Sequence, residues 1–300
     1  MRSRYAPDRG LAARMVAAMA MLGLLYVALI LVLVYAGLPW VVVLLLSALG
    51  LLAQWYLSDR VALRALGGQV VTPEQAPELH AMVDRLCALA DMPKPTLAMA
   101  DSDLPNAFAT GRKADRAVVC VTTGLVNRLD EAELEGVLSH ELAHVAHRDV
   151  AVMTVASFVA VAAGVLMRLG TYGGGGRRRD NGNAALAALL IVLVSVVVYA
   201  FSFLVIRALS RYRELSADRS GALLTGRPSA LASALTKITG EMGRIPTRDL
   251  RRAEAYNAFF LVPALAPGFT LTSLFATHPP LDQRLDQLGR IGGQLGRPGH

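Results

Sequence analysis

Leu138-Ser139-His140-Glu141-Leu142-Ala143-His144 decides how the chain is read. Histidines four apart on a helix share a face and sit about 6 Å apart along the axis, so both imidazoles can close on one tetrahedral ion with bonds of about 2.1 Å. Zinc suits such ligands. Glu141, beside the first histidine, can reach a water at that ion without entering its coordination shell. With six histidines in 300 residues, chance does not account for the pattern. His147 shares the face of His140 but lies about 10 Å along the axis from it, and reads as a polar neighbour of the site, not a ligand.

The surroundings of this segment have the mixed polarity of a folded domain. Asp130, with Glu133 three residues on, predicts the N-terminus of the helix that carries both histidines toward Asp149. Thr72-Pro73-Glu74-Gln75 predicts another helix start, with the helix running to about Ala90. Between them, residues 96–99, 106–110 and 117–122 read as short strands separated by turn residues. They predict a small antiparallel sheet.

Further out the composition changes. The chain is 54% hydrophobic and 18% charged, against roughly 25% charged in a soluble domain, and the excess apolar residues form four blocks. Residues 15–38 and 39–57 carry no charge, and each compares with the roughly 20 residues that cross a bilayer. Joined through Ala36-Gly37-Leu38-Pro39, they read as a tight helical hairpin. A cleaved signal peptide would be shorter and would not be followed by a second block. Residues 150–167 and 184–206 form a second hairpin around Gly173-Gly174-Gly175-Gly176-Arg177-Arg178-Arg179-Asp180. That run follows no strand and precedes no Gly-Lys-Ser/Thr, so it reads as a linker and not as a phosphate cradle.

The organisation expected is an N-terminal transmembrane hairpin (1–57), a first domain part with the histidine helix (58–149), the second hydrophobic hairpin (150–206) and a second domain part (207–300). Arg2, Arg4, Arg9 and Arg14 put the N-terminus, and with it residues 58–149, in the cytoplasm. Arg177 to Arg179 would then face outward against the same rule, which leaves two paths for the second hairpin: spanning, or shallow and buried. A net charge of +7 sits at the ends of apolar blocks and not in a stripe with interleaved aromatics. It fits anionic lipid headgroups and argues against nucleic acid. Cys87 and Cys120 cannot make a disulfide framework and read as buried thiols.

A catalytic metal needs a third protein ligand and an open position. Beyond the fourth block, Arg211-Tyr212-Arg213-Glu214-Leu215-Ser216-Ala217-Asp218 continues helically with Glu214 and Asp218 on one face. Glu214 can ligate, and Asp218 can orient a ligating imidazole. A solvated face with salt bridges to Arg211 or Arg213 is the bland alternative.

With these motifs the sequence resembles the gluzincin membrane endopeptidases, which comprise the HtpX-type heat-shock proteases and the CAAX prenyl endopeptidases. The resemblance rests on the N-terminal hairpin, Asn106-Ala107-Phe108-Ala109, the 138–144 helix, the second hairpin, Arg213 to Asp218, and Thr277-His278-Pro279-Pro280 followed by Arg284. Length and hairpin order are HtpX-like. It implies an α+β membrane protein: a mostly helical zincin-like metalloprotease domain with a small antiparallel sheet and two hydrophobic hairpins. It further implies one Zn2+ per chain at His140, His144 and Glu214, with Glu141 as general base and acid. Asp218 would hold a ligating imidazole, and His278 would donate to substrate or the developing oxyanion. Asn106, Ala107, Phe108 and Ala109 would form an edge strand that receives substrate as an added strand.

The resemblance also implies protein or peptide substrates, damaged or unassembled membrane proteins among them, and a multi-pass protein of the bacterial inner membrane acting on its cytoplasmic side. Two other classes compete. A site-2-type intramembrane protease would bury the histidine motif in a membrane helix, which Glu131, Glu133, Glu135, His147, Arg148 and Asp149 around the motif oppose. A non-enzymatic scaffold with a metal site would not need the uncoordinated Glu141.

Overall fold

The computed structural model describes residues 9–65, 67–111, 114–173, 182–242 and 278–296. The arginines Arg2 and Arg4, most of the 173–180 linker, and Thr277 lie outside these residues. Contacts divide the chain into two units, one from Met1–Leu11, Asp59–Val150 and Ser210–His300, the other from Ala12–Ser58 and Ala151–Leu209.

The second unit is helical and apolar. It takes most of α1 (Arg9–Tyr35) and α2 (Trp40–Ala65), and parts of α6 (Asp149–Gly173) and α7 (Gly182–Thr225). Arg9–Tyr35 and Leu186–Thr225 are long and apolar enough to cross a membrane; Trp40–Tyr56 and Val152–Met167 are shorter apolar segments. Leu24, Leu31, Leu45, Leu49, Leu189 and Leu204 are exposed along these helices, a density of apolar surface that water does not tolerate and lipid does. Inside the unit, Phe158 meets Tyr26 edge-on with ring centroids 5.8 Å apart, and Gln54 donates to the Thr154 carbonyl (3.0 Å) and the Ser157 hydroxyl (2.8 Å).

The first unit is built around α5 (Glu131–Ala146). Asp130 and Glu133 form a reciprocal capping box, Glu133 N–H to Asp130 Oδ1 at 2.9 Å and Asp130 N–H to Glu133 Oε2 at 3.0 Å, which satisfies two amides that no helical carbonyl can reach. Every residue from Glu133 to Val145 is buried, so α5 is a central helix covered on all sides and not an amphipathic one. It packs on α3 (Pro77–Ala90), on α8 (Pro228–Met242) and on the sheet. Val137, Leu138 and Leu142 of α5 share a core with Val83 and Leu86 of α3, Leu231 and Leu235 of α8, and Leu288 and Ile291 of α9 (Leu281–Leu295). Each such buried side chain contributes about 1.5–3 kcal/mol.

The sheet has four strands in the order β1-β2-β4-β3: β1 (Gly68–Val70), β2 (Thr96–Ala100), β3 (Ala107–Thr110) and β4 (Val118–Thr122). It is mixed, which corrects the expected antiparallel sheet. β3 and β4 form an antiparallel hairpin, but β4 inserts between β3 and β2 and therefore runs parallel to β2. Val119 and Val121 face the main core, while Cys120 joins Ala98, Ala100 and Phe108 on the other face. A second correction concerns α3, which begins at Pro77 and not at Pro73. The Thr72 N–H donates to Gln75 Oε1 (2.9 Å) and the Thr72 carbonyl accepts from Gln75 and Ala76. The capping motif thus closes a turn ahead of the helix, and Pro77 supplies the start.

Candidate metal centre

Nε2 of His140 and Nε2 of His144 face each other at 3.2 Å. Glu214, carried by α7, aims Oε2 at the first from 3.5 Å and Oε1 at the second from 3.4 Å. Two bonds of about 2.1 Å at a tetrahedral angle separate their donor atoms by about 3.4 Å, so the triangle has the size one zinc ion needs. All three side chains are buried.

Each imidazole turns its other nitrogen to a fully buried carboxylate. Nδ1 of His140 lies 2.9 Å from Oδ1 of Asp218, and Nδ1 of His144 hydrogen-bonds Oδ2 of Asp149 at 2.6 Å. A ring that gives its Nδ1 proton to a carboxylate presents a lone pair at Nε2. In that tautomer two Nε2 lone pairs and a carboxylate converge on one point, an arrangement that a divalent cation neutralises in place of a proton. Each carboxylate is in turn held by an arginine. Arg284 donates to Asp218 through Nε (2.7 Å) and Nη2 (2.6 Å), and Nε of Arg213 lies 3.0 Å from Asp149 Oδ2.

The electrostatics follow from these contacts. Burial works against the charge of Glu214, yet His278, His140 and His144 hold its carboxyl well below the usual range. Burial likewise opposes the charges of Asp218 and Asp149, and Arg284 and Arg213 outweigh it. Glu141 differs: burial raises its carboxyl, with His140 and His144 offsetting only part of the rise. It therefore takes up a proton more readily than its neighbours do.

The predicted residues fall as follows. His140, His144, Glu214, Glu141 and Asp218 come together, and His278 joins them with Nδ1 in ion-pair contact 3.0 Å from Glu214 Oε2, both ring nitrogens being buried and without an aligned hydrogen bond among the described residues. Asn106 is buried one residue ahead of β3, and its N–H and C=O both bind Thr122. Since residues 106 and 122 form a hydrogen-bonded pair, alternation along the hairpin aims the amides and carbonyls of Ala107 and Ala109 away from β4, at the outer edge of the sheet. The Ala109 N–H hydrogen-bonds the Glu141 carboxylate, which brings this edge to Glu141. His147 is the C-cap of α5 and lies outside the donor triangle.

Two contacts were not foreseen. Asp149 reads in sequence only as the polar boundary of an apolar block, and Arg213 only as a partner for a solvated face. The signal that brings Asp149 under His144 is conformational: Arg148 takes a left-handed backbone (φ 58°), which turns the chain back between α5 and α6.

Residues 73–291 match the profile of peptidase family M48. The chain is 58% identical to "Protease HtpX homolog 1" of Streptomyces coelicolor, over 99% of this chain and 97% of that one. It is 51% identical to "Protease HtpX homolog" of Moorella thermoacetica, over 98% and 99%. The crystal structure of S. mikatae Ste24p matches 91% of this chain with a TM-score of 0.53 at 17% identity, which is a likeness of fold; the chain spans 64% of that structure's length.

Proposed function

The chain belongs to peptidase family M48 and is a membrane-bound metalloprotease, and from that premise we propose that it is a zinc endopeptidase with one ion held by His140, His144 and Glu214. The observation that carries the reading is the cluster of buried donors, two Nε2 atoms 3.2 Å apart and the Glu214 carboxylate with one oxygen 3.4 Å from His144 and the other 3.5 Å from His140, with Glu141 next to it and outside it. Zinc, when bound there, supplies Lewis acidity toward water and toward the scissile carbonyl.

The chain's own groups do the rest. Glu141 takes the proton of the attacking water and passes it to the nitrogen of the leaving amine, a shuttle that its raised carboxyl suits. Asp218 keeps the His140 ring turned so that Nε2 faces the donor triangle. His278, anchored on Glu214 through Nδ1, has Nε2 left to donate to the substrate or to the oxygen that gains charge. The outward amide and carbonyl of Ala107 and the outward carbonyl of Ala109 pair with the substrate backbone as an added strand, which gives affinity with little sequence preference.

Such loose selectivity fits the removal of damaged or unassembled membrane proteins. The apolar helices supply the anchor and a lipid environment, with the site on the cytoplasmic side of a bacterial inner membrane. The intramembrane alternative is disfavoured because α5 begins at the exposed Glu131 and packs within a soluble-type core. The test is cleavage of casein and of an unfolded membrane protein by the purified protein in detergent. Turnover should require zinc, stop with chelator and vanish in Glu141→Gln. Cleavage that persists in chelator at the wild-type rate overturns the reading.

A further inference from the structure

Asp149 occupies a junction. It follows the left-handed Arg148, opens α6, and is completely buried. Its Oδ2 atom meets two elements at once: the Nδ1 of His144 on α5 at 2.6 Å and the Nε of Arg213 on α7 at 3.0 Å. Arg213 immediately precedes Glu214. The two ends of the second hydrophobic hairpin are therefore tied to each other through a group that also touches a histidine of the donor triangle. The arrangement parallels Arg284, Asp218 and His140 on the other side, with one difference. Arg284 comes from the C-terminal helix α9, whereas Arg213 sits on the same helix as the third donor.

We propose that Asp149 is a positioning residue for the metal centre. It fixes the ring of His144, and through Arg213 it sets the register of α7 that delivers Glu214. This rests on the reading of His140, His144 and Glu214 as metal ligands. The carboxylate holds His144 with its proton on Nδ1 and its lone pair toward the donor triangle, and residues that orient a ligand in this way typically govern metal affinity by roughly 10- to 100-fold. Arg213 neutralises the buried carboxylate, so Asp149 can polarise the imidazole without an uncompensated charge. The second hairpin then has a role besides anchoring: its closure at Asp149 and Arg213 completes the site.

The experiment uses the full-length protein in detergent, carrying Glu141→Gln to prevent self-digestion. Zinc affinity is measured by chelator competition, and cobalt(II) absorption reports ligand geometry. Asp149→Ala should weaken zinc binding by roughly 10- to 100-fold, with Asp149→Asn, which can still accept from His144, falling between. Arg213→Gln should weaken binding and alter the cobalt spectrum, and Arg213→Lys should restore most of both. The pair should be non-additive, Asp149→Asn with Arg213→Gln binding zinc about as well as Asp149→Asn alone. Melting of the metal-free variants close to the parent's separates positioning from unfolding. If Asp149→Ala does not fold, Asp149→Asn and Arg213→Gln decide. Zinc affinities of both within about twofold of the parent, with an unchanged cobalt spectrum, overturn the proposal. A parent protein that binds no metal overturns the ligand assignment itself, a different and recognisable failure.

Discussion

Gly221 on α7 lies so close to His140 that a Cβ there would stand 3.0 Å from the His140 amide nitrogen and 2.8 Å from the Ser139 hydroxyl oxygen. The helix carrying Glu214 and Asp218 thus approaches the histidine helix to backbone contact, and the 3.5 Å between His140 and Glu214 depends on that approach. Gly221→Ala should push α5 and α7 apart and lower zinc affinity, and Gly221→Val should do more. Gly240→Ala, where no atom of the described residues beyond its own helix backbone lies within 4 Å of an added Cβ, should leave zinc binding unchanged. Equal affinities for all three variants in a chelator competition would remove the packing argument.

Proton release should accompany metal uptake. Without metal, burial works against charge on His144, but Asp149 and Glu214 outweigh it and push the imidazole up to about 10. His140 is raised as well, Asp218 and Glu214 outweighing burial. A raised pKa means a bound proton at neutral pH, and zinc must displace it. Affinity should therefore increase with pH, by about tenfold per pH unit for each proton displaced. Calorimetry in buffers of different ionisation enthalpy counts these protons; affinity that falls as pH rises would contradict the sign.

Glu133 offers a test of stability away from the metal. Its carboxylate closes the capping box with Asp130, binds the Ser233 hydroxyl at 2.6 Å and Lys237 Nζ at 2.6 Å, and is almost fully buried. Glu133→Ala removes the cap and the carboxylate that binds the half-buried Ser233 and the exposed Lys237, a loss of about 1–2 kcal/mol. That should appear as a melting temperature lower by several degrees in detergent. Glu131→Ala, at an exposed ion pair with Arg85, should change it little.

Much of this was legible in sequence for local reasons. The histidine pentapeptide, the Asp130–Glu133 box and the four-residue spacing of Glu214 and Asp218 each lie on one helix, where period alone decides which side chains share a face. What was not legible depends on distant pieces of chain. The three-residue strand β1 gains its partners only from β2. β4 runs parallel to β2 because it pairs between β3 and β2, which strand propensity cannot reveal. Thr72-Pro73-Glu74-Gln75 carries a helix start signal, but its side-chain bond closes a turn that ends before Pro77. Asp149 needed the left-handed turn at Arg148, a conformation that arginine does not advertise.

Topology is checked by labelling. Cys87 and Cys120 are buried, and burial pushes their thiols up to about 11 and about 12, so both should resist maleimide in the folded protein. Against that silent background, Lys113→Cys and Arg248→Cys should be protected from an impermeant reagent in intact cells, as a cytoplasmic site requires. Labelling of Gly175→Cys from outside would mean that the second hairpin spans, and protection would mean that it is shallow or buried. Labelling of Lys113→Cys from outside would reverse the orientation.

The most direct measurement is the zinc content of purified full-length protein beside its proteolytic rate. Glu141→Gln should retain one zinc per chain and show no turnover, because it removes the proton carrier and leaves His140, His144 and Glu214 intact. Glu141→Gln with Glu214→Ala should lose the metal. One zinc per chain in that double variant, or wild-type turnover in Glu141→Gln, would contradict the account.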